Sequence, residues 1–206
     1  MLRQAVHEAG ARGIALLDDG TPEARLAADW AIRALGPDAV TCIEMPDPAA
    51  AAAALAAAGP TARLDPARAA EEVLRLRARA AAAEADLLPA HPANKTALLL
   101  AGGIPPEPLL PLGDLYASQV RELAGASTAP PCVRALADCA GGLDRLDALL
   151  VALVDERRRP AELPDGYDGA TVAAVRRALD AGRWSRRRIG LVPKLGSRTL
   201  GIDLFD

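Results

Sequence analysis

The chain has 206 residues, and its composition excludes several classes of protein. Charged residues make up 25% and hydrophobic residues 51%, as in globular rather than disordered chains. The net charge is −3 and the aromatic content 2%, whereas a nucleic-acid binder needs a basic stripe and stacking rings. No apolar run reaches the roughly 20 residues of a membrane helix, and the three cysteines lack metal-binding spacing. We therefore expect a cytoplasmic protein with reduced thiols that binds neither nucleic acid nor membranes.

The first third of the chain predicts a strand–helix–strand unit. Ile14 to Leu17 is a short apolar run typical of a buried strand. A helix should follow from Thr21 to Leu35, because Thr is a favoured N-cap and a proline stands at the first helical position. Val40 to Met45 is predicted to be a second strand. Two strands joined by one helix imply a parallel sheet.

The remainder predicts further helices and one more strand. Asp65-Pro66 should begin a helix that reaches about Ala85, and Leu98 to Leu100 reads as a third strand. Residues 125–142 lack periodicity and are predicted to be a loop, with Cys132 and Cys139 as small core residues. Other helices are predicted from Asp114 to about Ala124, over 143–154 and over 170–181.

The turn after the first strand is the place where a parallel sheet would bind a ligand. A phosphate-binding turn needs small residues and backbone N–H groups at a helix N-terminus. Here Gly20 and Thr21 fit, but Pro22 has no N–H, and Asp18 and Asp19 would repel a phosphate unless a metal lay between them. The local pattern favours an ordinary capped turn.

Several segments resemble NAD synthetases, which belong to the N-type ATP pyrophosphatases. Residues 13–45 are similar to the first strand–helix–strand of that family, whose turn reads Ser-Gly-Gly-Ile-Asp-Ser where this chain has Asp-Gly-Thr-Pro-Glu-Ala at 19–24. Residues 94–96 resemble its Asn-Lys-Ser, and residues 111–123 its Pro-Leu-Gly-Asp-Leu-Tyr-Lys-Thr-Gln-Val segment. Arg186 to Arg188, Lys194, Ser197 and Arg198 resemble its basic C-terminal tail.

The resemblance implies a three-layer α/β/α fold with a parallel, Rossmann-like sheet and helices on both faces. It implies one NAD synthetase-like domain over 1–206, with the sheet core at 13–101, a helical dimerisation part at 112–182 and a tail at 183–206. Family members use Mg-ATP to adenylate deamido-NAD before ammonia displaces AMP. Transferred residue by residue, the catalytic cations would be Lys95 and Lys194, and Glu23 would stand at the metal position. The nucleotide-binding positions would be Asp19, Gly20, Thr21, Asn94, Thr96, Arg187, Ser197 and Arg198.

The chain departs from the family where the chemistry needs charge. Pro92 replaces a threonine, Ala97 replaces the metal-binding glutamate, and Ala117 replaces a lysine. The Gly-Asp-Gly loop between the two central segments is missing. Each lost charge-stabilising group typically costs about 10²–10³ in rate, so several together should leave little chemistry. Lys95 and Lys194 are the only two lysines among 24 cations, and both fall on family motifs, although two surface lysines could do so by chance.

Three functions are therefore open. The chain could be a degraded NAD synthetase-like protein that binds an adenine or pyridine dinucleotide, or that pairs as a homodimer or with a paralogous subunit. It could be an active ammonia-dependent NAD synthase whose metal site is rebuilt around Asp18, Asp19 and Glu23. It could also be an interaction module with an empty cleft. We favour the first, with bound Mg-ATP possible but not required.

Overall fold

The computed structural model describes residues 1–57, 65–101, 109–127, 129–163, 166–182 and 192–194. The chain divides into two compact units, Leu2–His91 and Pro92–Asp206, which we call the first and second unit. The predicted site residues Arg187, Ser197 and Arg198 lie outside the described residues.

The first unit is a parallel sheet covered by helices. Its central strand β1 (Gly13–Asp18) pairs in parallel with β2 (Val40–Glu44) on one side and with β3 (Leu87–Ala90) on the other. Strand β1 is almost entirely apolar and buried, as expected for a strand covered on both faces. Its helices are α1 (Leu2–Glu8), α2 (Pro22–Leu35), α3 (Pro48–Ala57) and α4 (Pro66–Ala85), of which α2 and α4 contact β1.

The expected start and end of α2 are confirmed. The Thr21 side chain accepts a hydrogen bond from the Ala24 N–H at 3.2 Å, and Pro22 begins the helix. Gly36 ends it with a φ of 95°, a conformation that glycine adopts without a Cβ clash. Local capping chemistry therefore fixes the direction in which the chain leaves β1.

The third strand was predicted at the wrong place. Leu98 to Leu100 belongs to helix α5 (Lys95–Leu100), whose N-cap Asn94 accepts a hydrogen bond from the Ala97 N–H. A short apolar run cannot distinguish a buried strand from a buried helix, and all three leucines are indeed buried. The true third strand β3 contains Pro89, which fits because β3 pairs only with β1 among the described strands.

The second unit consists of helices around one apolar core. Besides α5 it contains α6 (Ala117–Ala124), α7 (Pro131–Ala140), α8 (Leu143–Leu150) and α9 (Gly169–Ala181), and α8 continues as a π-helical turn over Val151–Asp155. Leu99, Leu146, Leu149, Leu150 and Val175 are fully buried at its centre. Among the described helices, none combines the length and the hydropathy that crossing a bilayer requires.

Two further predictions in this unit are wrong. The segment predicted as a loop contains α7, which begins at a Pro-Pro pair and buries Val133, Ala137 and Ala140 on one face, while Cys132 and Cys139 are exposed. Helix α6 does not begin at Asp114, because residues 111–114 form a turn and Tyr116 is the N-cap residue.

Candidate functional site

The turn between β1 and α2 is held together by its own acidic side chains. Asp18 Oδ1 accepts a hydrogen bond from the Gly20 N–H at 2.9 Å. Asp19 Oδ1 accepts from the Thr21 N–H at 3.1 Å and from the Thr21 hydroxyl at 2.5 Å. The Thr21 hydroxyl oxygen in turn accepts a hydrogen bond from the Ala24 N–H, and Pro22 has no backbone N–H. The N–H groups of Gly20, Thr21 and Ala24 are therefore already bonded within the chain.

Gly20 and Glu23 are the other two residues of this turn that were predicted to bind nucleotide and metal. Gly20 has a φ of 76°, so the one residue that the turn shares with the family motif is also one that its geometry requires. Glu23 is only 5% exposed, in the first turn of α2. No cluster of three or more potential metal-ligating side chains occurs in the described part of the chain. The donor set in this turn therefore does not fit a magnesium site.

His91 follows β3 and is only partly exposed. Burial lowers the pKa of its imidazole to about 4; the nearby Arg75 acts in the same direction, and Asp19 opposes it. His91 is therefore neutral at physiological pH.

The Asn94-Lys95-Thr96 segment lies in the second unit, at the start of α5. The Lys95 side chain is 2% exposed, and its Nζ donates to Asp155 Oδ1 at 2.9 Å and to Oδ2 at 3.2 Å. Asp114 Oδ1 lies 4.0 Å from the same nitrogen, which also sits 4.8 Å from the centre of the Tyr116 ring. The Tyr116 hydroxyl donates to Asp155 Oδ2 at 3.1 Å. Lys95 is thus enclosed by two carboxylates and an aromatic ring.

Thr96 belongs to a second buried network beside this one. Its hydroxyl donates to Asp147 Oδ1 at 2.7 Å and accepts from the Ala117 N–H at 2.9 Å. Asp147 Oδ2 accepts from the Ser118 N–H at 2.7 Å. Burial raises the pKa of Asp147 although these hydrogen bonds oppose the shift. A carboxylate of α8 therefore occupies the N-terminus of α6, where an anion would otherwise be favoured.

The sequence predicted that residues 94–96 belong to one site, but it did not predict Asp155. Asn94 caps α5, and Lys95 and Thr96 are buried beside it as neighbours. Asp155 was missed, since it reaches Lys95 from the π-helical turn, 60 residues along the chain. The only signal for it was that a buried lysine requires a carboxylate. Lys194 is exposed.

The fold of the chain is similar to that of known structures. Neither the protein-family models nor the curated proteins compared with the sequence match it. The ammonia-dependent NAD synthetase from Campylobacter jejuni, solved with a nitrate ion, is similar with a TM-score of 0.66 and 16% identity, over 95% of this chain and 94% of that chain. The glutamine-dependent NAD+ synthetase from Acinetobacter baumannii, solved with ADP, gives a TM-score of 0.47 and 21% identity over 98% of this chain and 46% of that chain. The similarity to the Campylobacter jejuni structure shows that the chain has the α/β, Rossmann-like fold of that NAD synthetase.

Proposed function

We propose that this chain is a pseudoenzyme with an NAD synthetase fold, which pairs with itself or with a paralogous subunit and does not synthesise NAD. One observation carries the proposal. In both motifs that resemble the family's ATP-handling segments, the chain's own carboxylates are bonded to groups that would otherwise contact phosphate.

The turn after β1 supplies the first half of this argument. Gly20 and Thr21 give their N–H groups to Asp18 and Asp19. A phosphate would have to displace these carboxylates and then lie beside their negative charge, which is unfavourable. The Gly20 and Thr21 N–H groups therefore have acceptors without any ligand.

Lys95 supplies the second half. A lysine that stabilises a phosphate must present its ammonium group to the ligand. The ammonium of Lys95 instead donates to Asp155 inside the protein, with Asp114 nearby. Releasing it would leave buried carboxylates without their cation, which typically costs about 3–5 kcal/mol. We infer that Lys95 has a structural role.

The metal requirement points the same way. Ala97 stands where the resemblance places a metal-binding glutamate, and its N–H only completes the Asn94 cap. Glu23 is not joined by a second and a third ligand within the described residues. Transfer of AMP from ATP depends on a divalent cation held by carboxylates, so the described residues offer neither free phosphate contacts at these motifs nor a set of metal ligands.

Subunit pairing is the role that remains for a chain of this fold. The helices α6 to α9 surround a continuous apolar core in the second unit, so the part of the chain that resembles the family's dimerisation region is well formed. Leu123 on α6 is 55% exposed. An exposed leucine on such a helix is a suitable contact for a second subunit.

The decisive test is NAD formation from deamido-NAD with ammonia and Mg-ATP. The Campylobacter jejuni ammonia-dependent enzyme serves as the positive control under the same conditions. We expect no NAD above the background of a protein-free reaction. Turnover at a rate comparable with the control would overturn the proposal and support an active synthase with a rebuilt site.

A further inference from the structure

The structure contains a groove in the second unit that is separate from both motifs discussed above. It lies between residues 160–163 and 166–167 on one side and α9 on the other, and has a volume of about 440 Å³. This volume is within the range of small-molecule sites, roughly 300–1,000 Å³. The residues that line it include Pro160, Leu163, Tyr167, Val172 and Ala173, with Arg176 as the charged member.

The wall of the groove is held in place before any ligand arrives. The Arg145 guanidinium donates to the Gly166 carbonyl and stacks on the Tyr167 ring, 5.1 Å from its centre. The Tyr167 hydroxyl donates back to the Arg145 carbonyl at 2.9 Å. Asp168 then caps α9 by accepting from the Thr171 N–H at 2.8 Å. A preorganised wall reduces the ordering cost of binding.

Arg176 is the charged residue among those that line this groove. Arg158 forms an ion pair with Glu156 at 2.6 Å, and Arg159 is paired with Glu162. Arg176 is exposed and forms no ion pair within the described residues. Asp180 lies one turn further along α9, but such a pair contributes only about 0.3–0.5 kcal/mol, so a bound anion can compete with it.

We propose that this groove binds a small monoanion, a carboxylate carrying an apolar body, with the carboxylate on Arg176 and the body between Leu163, Tyr167 and Val172. Because the groove has one guanidinium, we expect a ligand with one negative charge. A guanidinium binds a carboxylate through two parallel hydrogen bonds. The side chains of Leu163, Tyr167 and Val172 contact the apolar body of the ligand and supply the remaining affinity. This site is independent of the proposed loss of NAD synthesis.

The test titrates the full chain with hexanoate, acetate and hexanol and follows the amide shifts by NMR. Hexanoate should bind saturably at millimolar concentration and shift the signals of residues 160–180. Acetate and hexanol, which each lack one half of the recognised chemistry, should bind at least about tenfold more weakly. Equal binding of hexanoate and hexanol, or no saturation by hexanoate, would overturn the proposal.

The neighbouring Arg177 provides a matched control, since it is also exposed on α9 but does not line the groove. Arg176→Gln should weaken hexanoate binding about tenfold, whereas Arg177→Gln should leave it unchanged. Both substitutions are at exposed helix positions and should not affect folding. Equal effects of the two variants would show general charge attraction and contradict a site at Arg176.

Discussion

Lys95 is the residue at which the chemical and the structural interpretations differ most. Its position in an Asn-Lys-Thr segment suggests a cation for phosphate, yet its ammonium is bonded to Asp155 at 2.9 Å and is 2% exposed. Removing one partner of a buried ion pair leaves the other charge uncompensated. A structural lysine therefore predicts a loss of stability, which can be measured without any substrate.

We expect Lys95→Met to lower the free energy of unfolding by about 3–5 kcal/mol in urea denaturation. The control is Arg121→Met, which breaks an exposed pair with Asp144 whose side chains are 41% and 66% exposed. That change should cost no more than about 1 kcal/mol. The double variant Lys95→Met/Asp155→Leu should regain part of the loss, because the uncompensated Asp155 is gone. Equal losses in the two single variants would refute a structural role for Lys95.

His91 gives a second prediction, for the dependence of stability on pH. Its pKa is lowered to about 4 in the folded chain, while an unfolded histidine titrates near 6.5. As the pH falls below about 6.5 the unfolded state takes up a proton first, so stability is present above that pH and is lost towards pH 4, on the order of 3 kcal/mol in total.

Replacing His91 by Gln should remove this part of the pH dependence of the unfolding free energy. His7 on α1 is exposed, and His7→Gln is the control that should keep the slope of the unmodified chain. Urea midpoints measured between pH 4 and pH 7 provide the comparison. If the His91 variant retains the full slope, the imidazole is not the group that titrates.

At the scale of elements, the turn between β1 and α2 can be tested by removing the two carboxylates that occupy its backbone N–H groups. The variant Asp18→Ala/Asp19→Ala should free the Gly20 and Thr21 N–H groups and delete two negative charges. We expect it to bind pyrophosphate at least about tenfold more tightly than the unmodified chain, as measured by calorimetry.

The control for this change is Asp47→Ala, because Asp47 caps α3 in a similar way by accepting from the Ala50 N–H at 3.1 Å. It should not gain pyrophosphate binding. No gain in the double variant either would show that the carboxylates are not what prevents phosphate binding at this turn.

The elements also show how far the sequence can be interpreted. Thr21-Pro22 and Gly36 locate α2 because capping depends on neighbouring residues alone. The strand predicted at Leu98–Leu100 failed because the burial of three leucines does not reveal periodicity, and only the Asn94 cap indicates a helix. The site was harder still. Asp155 reaches Lys95 through a π-helical turn, and such a turn depends on tertiary packing that no local pattern predicts.

At the scale of the whole molecule, pairing of subunits is the property to measure. Leu123 in the second unit and Leu76 in the first are both 55% exposed, so they are matched in surface chemistry. If α6 contributes to a subunit interface, Leu123→Asp should convert a dimer into a monomer in light scattering after size exclusion, and Leu76→Asp should not. A chain that is monomeric before any substitution would contradict pairing with itself and leave a paralogous partner to be tested by co-expression.

The same fold in two chains need not carry the same chemistry, because function depends on particular groups at a site. Here the fold is similar to that of an NAD synthetase. In our proposal, Asp18, Asp19 and Asp155 take the place that ATP phosphates would have at the two motifs.

The most direct test of this account is a calorimetric titration of the unmodified chain with Mg-ATP. Because the Gly20 and Thr21 N–H groups and the Lys95 ammonium are already bonded within the protein, we predict no saturable heat up to millimolar nucleotide. A saturable isotherm with a dissociation constant in the micromolar range would contradict the account, since it would require these groups to exchange the chain's own carboxylates for phosphate.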